Sequence, residues 1–152
     1  MSYTYNYDNL LEGLSSVLSE TGYDVYDSKR QQGSNVPCFF IVMMSDDFKE
    51  EMGRMSMDEL QLDIVFLQDP NIVNAMDGIY TVMQYLNEHL GTIPYTDGEN
   101  TTILRTYERH SHIQDYDLHY QVTFKNRIYL AETNTKMKTL EDIDVKIKVK
   151  QT

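Results

Sequence analysis

Histidines and carboxylates are the residues of this chain with the most obvious chemical capacity. His110 and His112 stand two apart, and His119 follows Asp115 and Asp117 at the same spacing. On a strand, residues 115, 117 and 119 share one face, a geometry that could hold a transition metal through nitrogen and oxygen ligands. That face is polar throughout and expected to be solvated, where imidazoles and carboxylates cost nothing, and no partner motif stands at metal-ligand spacing. These residues therefore read as the outer face of a strand, and no metal is expected. Carboxylates are plentiful, but none sits in an apolar context that would desolvate it and shift its pKa toward acid–base work. The chain has no G-x-S-x-G turn, phosphate-binding loop, glycine-rich dinucleotide turn or cysteine–histidine couple. The single cysteine, Cys38, lies in PCFFIVMM and reads as a small buried hydrophobe. It allows no intrachain disulfide, which suits a reducing compartment. Neither catalysis nor a cofactor is expected.

The elements that carry these residues are legible in the periodicities. Leu10, Leu11, Leu14, Val17 and Leu18 predict a helix over residues 8–20, capped by Asn6 or Asp8 and stopped at Gly22. Residues 23–27 read as a short strand and 28–35 as a polar loop. Pro37 to Met44 is apolar at both parities, which predicts a central strand covered on both faces, with Met43 and Met44 in tight core positions. Residues 45–57, SDDFKEEMGRMSM, break the period and read as a long hairpin connection. Leu60, Leu62, Ile64 and Phe66 fall two apart on one strand face. After Asp69-Pro70, read as a helix start, Ile72, Ala75, Met76, Ile79, Val82, Met83, Leu86 and Leu90 follow a helical period ended by Gly91. Gly78 inside that helix marks a point of close packing. Residues 92–100 read as an exposed loop and 101–109 as a strand. Residues 114–124 form the clearest strand, with Tyr116, Leu118, Tyr120, Val122 and Phe124 on one face. The predicted fold is α+β: an antiparallel-dominated sheet with two amphipathic helices packed on one face. Residues 1–135 form the single domain. Residues 136–152 form a basic C-terminal strand or arm, in which Ile143, Val145, Ile147 and Val149 alternate with polar residues.

Composition narrows the function classes. With 152 residues, 41% hydrophobic and 24% charged, the chain can bury a core and is not a disordered segment. No apolar run approaches the roughly 20 residues needed to cross a bilayer, and the N-terminal MSYTYNYDNLLEGL lacks the basic-then-apolar order of a secretory leader. No membrane partner is expected. The net charge is −11. Residues 136–152 hold five lysines against Glu141, Asp142 and Asp144, a net of +2, which leaves −13 for residues 1–135. A body so acidic disfavours binding to a phosphate backbone; it reads first as a solvated surface, and alternatively as one that DNA must pass without sticking. The twelve tyrosines have no basic groove beside them and read as core and interface residues. Phe48, Met52, Met55 and Met57, adaptable apolar side chains on a charged segment, suit contact with a protein partner.

The order of an amphipathic helix, a short strand, the apolar strand CFFIVMM, the segment SMDELQLDIVFL, a helix and the closing IQDYDLHYQVTFKNRIY resembles the tail terminator proteins of long-tailed bacteriophages, also called tail-to-head joining proteins. The resemblance is strongest from Pro37 to Tyr129. It implies a structural virion protein without enzymatic activity. Such a subunit forms a homo-oligomer, a hexameric ring, that caps the tail tube protein and joins it to the head connector or head completion protein. It implies a place at the tail end of the virion, after assembly in the host cytoplasm. DNA then contacts the ring only in passage through its lumen. Phe48, Met52, Met55 and Met57 are the expected ring or tube contacts, and Ile143, Val145, Ile147 and Val149 a possible arm. The alternatives are another head–tail neck or completion protein of the virion, or an acidic regulator that mimics DNA.

Overall fold

Every second residue from Leu60 to Phe66 and from Leu118 to Phe124 is buried, and these two rows form the centre of a sheet. A computed structural model describes residues 5–26 and 35–129. Its elements are α1 (Tyr7–Ser19), β1 (Asp24–Tyr26), β2 (Cys38–Glu50), β3 (Met55–Leu67), α2 (Ala75–His89), β4 (Thr92–Asp97), β5 (Asn100–Gln114) and β6 (Asp117–Tyr129). The six strands lie in the order β1-β2-β3-β6-β5-β4. Only the β1–β2 pair is parallel. Both helices contribute to one core on one face of this sheet, so the α+β expectation holds.

Asn6 starts α1 as predicted: its side chain accepts from the Asn9 amide at 3.0 Å. Leu10, Leu14 and Leu18 form the buried stripe. Gly13 lies against the Pro94 carbonyl, where a Cβ would collide with backbone. α1 thus touches β4 at one edge of the sheet and β1 at the other, so the sheet curls around it. Tyr85 of α2 donates to the Val17 carbonyl at 2.8 Å and locks the two helices together.

The structure corrects several expectations. α2 begins at Ala75, not after Pro70. The Asp69 side chain accepts from the Asn71 amide at 3.0 Å, and Asn74 adopts a left-handed conformation (φ 60°) that cannot continue a helix. The partner of Gly78 is Gln68, whose Nε2 donates to the Ala75 carbonyl at 2.9 Å and lies where a Cβ at 78 would stand. Residues 92–97 are an edge strand rather than a loop. Ile93 and Tyr95 are buried while Pro94, which has no amide to donate, is tolerated because β4 pairs on one side only. The 114–124 strand divides at a two-residue turn, Asp115-Tyr116, both with positive φ (52° and 65°). Tyr116 therefore leaves the apolar row and is exposed. Met43 and Met44 are also exposed, at 47% and 48%, because the register shifts between Met43 and Ser45 and β1 ends at Tyr26, opposite Phe40. Burial at both parities holds only for Cys38 to Ile41. The expected loop 45–57 is mostly strand: β2 and β3 pair out to Glu50 and Ser56, with only a tight turn between them.

Candidate functional site

The long β2–β3 pairing makes residues 45–57 an arm of two antiparallel strands, with β6 as its third strand. Phe48 pairs with Asp58 on the helix-side face and Met57 pairs with Lys49 and Arg127 on the other. Met55 opens β3 opposite Tyr129, and Met52 sits in the tip turn, 87% exposed. The structure brings these four residues onto one arm but not onto one face. Along its outer side runs a shallow groove lined by Asp47, Lys49, Met57, Glu59, Lys125 and Arg127. Arg127 Nε donates to Glu51 Oε1 at 3.0 Å and braces the tip. Ile143, Val145, Ile147 and Val149 lie outside the described residues.

At the root of the arm is a polar cluster. Tyr7 Oη is 2.7 Å from Asp46 Oδ2 and 3.1 Å from Asp58 Oδ1. Asp58 is fully buried, and its Oδ2 has no hydrogen-bond partner among the described residues. One phenol proton serves one carboxylate at a time, so two charges here would be poorly compensated. Burial first, then the adjacent Asp46 carboxyl, push the Asp58 carboxyl up to about 7, against the Tyr7 and Tyr5 hydroxyls that pull it down. Burial also raises the phenols of Tyr5 and Tyr7, with the neighbouring carboxylates adding to the effect. Tyr5 stacks on Tyr95, and Asn126 donates to its hydroxyl at 3.3 Å. The segment entering α1 is thereby tied to β2, β3, β4 and β6 at once. The sequence carried a signal for this buried acid, since Asp58 has the same parity as Leu60 to Phe66.

The face of the sheet away from the helices bears the histidines. His112 stacks on His119 with ring centroids 4.9 Å apart, and His119 Nδ1 lies 2.9 Å from Asp63 Oδ2. Asp115 is in the turn, off the face that the unbroken strand predicted for it. Among the described residues no group of three or more His, Cys, Asp or Glu side chains could hold a metal ion. No helix among them is long and apolar enough to cross a membrane. Burial pushes the Cys38 thiol up, away from the thiolate needed for reactivity. A cavity of about 310 Å³ opens between the β4–β5 hairpin and β6, lined by Tyr5, Tyr95, Leu104, Asn126, Ile128 and Tyr129. Its walls combine aromatic and aliphatic side chains with the polar Asp97, Asn100, Thr102 and Arg127. The arm offers an exposed tip for contact.

The profile of a family described as "Phage tail terminator protein" matches residues 9–136. No curated protein matches the chain. Among solved structures, a chain of one described as "Virion of native gene transfer agent (GTA) particle" is similar, with a TM-score of 0.43 and 10% identity. The match covers 74% of this chain and 84% of that one.

Proposed function

We propose a function from one premise: this chain belongs to the phage tail terminator family, whose profile spans most of its length. It is accordingly a structural protein of a phage tail. The finer reading is that copies of the chain assemble into a ring, a hexamer, on the end of the tail tube. The ring ends tube growth and presents a surface to the head connector or head completion protein. It does no chemistry. The family match is the observation that carries this reading, and the residues described above agree with it physically.

Two features give the reading its mechanism. A ring passing DNA needs a lumen that does not hold phosphates, and an acidic body supplies repulsion across several ångströms at physiological salt. Ring closure needs two different, complementary surfaces on each subunit. The arm carrying Phe48, Met52, Met55 and Met57 is one of them in this proposal, offering adaptable apolar side chains to a neighbour or to the tube. The segment with Ile143, Val145, Ile147 and Val149 is the other. Assembly takes place in the host cytoplasm and ends at the head–tail junction of the virion. Sedimentation velocity of the purified full chain tests the reading. A ring-sized species, or a monomer–ring equilibrium that shifts with concentration, is expected. A chain that stays monomeric at every concentration and in the presence of tail tubes contradicts it.

A further inference from the structure

The arm leaves one edge of the sheet uncovered. β1 pairs with β2 only at residues 38–40, and among the described residues no other strand lies on that side of β2. The remainder of β2 is long, pairs to its end with β3 apart from a register shift between Met43 and Ser45, and is bordered by Met43 and Met44, each about half exposed. Exposed strand edges of this kind template the addition of another strand. Its charges are Asp46, Asp47 and Glu50 against Lys49, a net of −2.

We propose that residues 143–150 of one copy add as a strand along this edge of β2 in the next copy of the ring. The inference rests on the ring reading above and names the surface that receives the arm. Residues 143–150, IDVKIKVK, carry three lysines against Asp144, a net of +2 that complements the edge. On the acceptor, Met43, Asp46, Phe48 and Glu50 lie on the helix-side face and Ser45, Asp47 and Lys49 on the outer one. Ser45 and Asp47 pair with Gln61 and Glu59 on the outer, polar face, where Lys146 and Lys148 would stand beside Asp47. Met43 pairs with Leu62 on the helix-side face, where Val145 and Ile147 would cover its exposed surface. β6 ends at Tyr129, opposite Met55, so the chain departs at the arm's tip. The thirteen residues from 130 to 142 can span on the order of 40 Å when extended, ample for a neighbouring subunit.

The test is disulfide trapping in the full-length chain, with Cys38→Ala as background. An edge variant (Ser45→Cys or Asp47→Cys) is mixed with a tail variant (Lys146→Cys or Lys148→Cys), allowed to assemble and oxidised. Held side by side, the two thiols should link different chains at least roughly tenfold more than a tail variant mixed with Glu12→Cys on α1, because pairing raises their effective concentration. Rings that form with no such link in any combination overturn this inference and leave the ring reading standing. A link found only within single chains carrying both cysteines also overturns it, placing the segment on its own sheet. Absence of rings altogether removes both.

Discussion

Replacing Asp58 by Asn keeps the shape of the side chain and lets it donate to Asp46 as a protonated carboxyl would, but it can never carry a charge. In the native chain, Asp58 is fully buried with one oxygen unpartnered, and its carboxyl titrates at about 7 against an ordinary value of 3.8. The folded-state value lies above the unfolded one. Asp58 therefore contributes stability that is full below about pH 4 and lost as the pH rises through about 7. At 1.36 kcal/mol per pKa unit, the gap is worth about 4 kcal/mol at most. Because Asp46 and Tyr7 can rearrange around the charge, about 2 kcal/mol is a realistic net effect. The Asn variant should thus be about 2 kcal/mol more stable than wild type near pH 8.5, and equal to or slightly less stable at about pH 4 and below. Urea unfolding at a series of pH values and one fixed protein concentration measures the difference directly. The difference reports on Asp58 together with the Asp46 carboxyl coupled to it, the remaining groups being common to both proteins. A wild-type-minus-variant curve that is flat with pH, or an Asn variant less stable at alkaline pH, would refute the account of the arm's root.

Four other outcomes follow from particular contacts. Gly13→Ala drives a Cβ into the Pro94 carbonyl and should cost about 2–3 kcal/mol, seen as a fall in the thermal midpoint; an unchanged midpoint would mean that α1 and β4 are not so close. Gly78→Ala gains about 1 kcal/mol of helix propensity but displaces the buried Gln68 amide from the Ala75 carbonyl, for a net loss of about 1 kcal/mol. In a Gln68→Ala background the same change should become stabilising, and a double-mutant cycle without coupling would reject the contact. Cys38, fully buried, should react with a thiol reagent only at the rate of global unfolding; rapid labelling in native buffer contradicts that. Deleting residues 137–152 should weaken assembly while leaving the circular dichroism of the body intact, whereas aggregation of the shortened chain would assign those residues to the subunit's own fold.

Where a segment's local pattern and its tertiary role agree, the sequence could be read directly. The Leu10–Leu14–Leu18 stripe, the Leu60–Phe66 row and the Leu118–Phe124 row each bury the side their period predicts. Failures occurred where a local signal opposed a tertiary one. Pro94 and Gly98 announce a loop, yet β4 forms because burying Ile93 and Tyr95 outweighs a missing amide on an edge strand. Met43 and Met44 read as core because hydropathy does not reveal that β1 is only three residues long. Asp115 and Tyr116 continue the alternation in sequence, and only their positive φ marks them as a turn. The arm was hidden for a related reason. Its strands are amphipathic with charge on both faces, which resembles a loop until β6 is seen beside β3. Of the candidate site, the expectation that no carboxylate is desolvated fails at Asp58, whose parity with Leu60 was the available signal, and its pairing with Asp46 and Tyr7 depends on a register that no local rule fixes.

The central claim is that this tail protein ends tube growth as a ring. Electron microscopy of tail tubes polymerised with and without the purified full-length chain tests it most directly. The account predicts tubes that stop lengthening and carry a ring of this protein at one end, the end that receives the head. Tubes that keep growing with both ends bare, in the presence of excess chain, would contradict it.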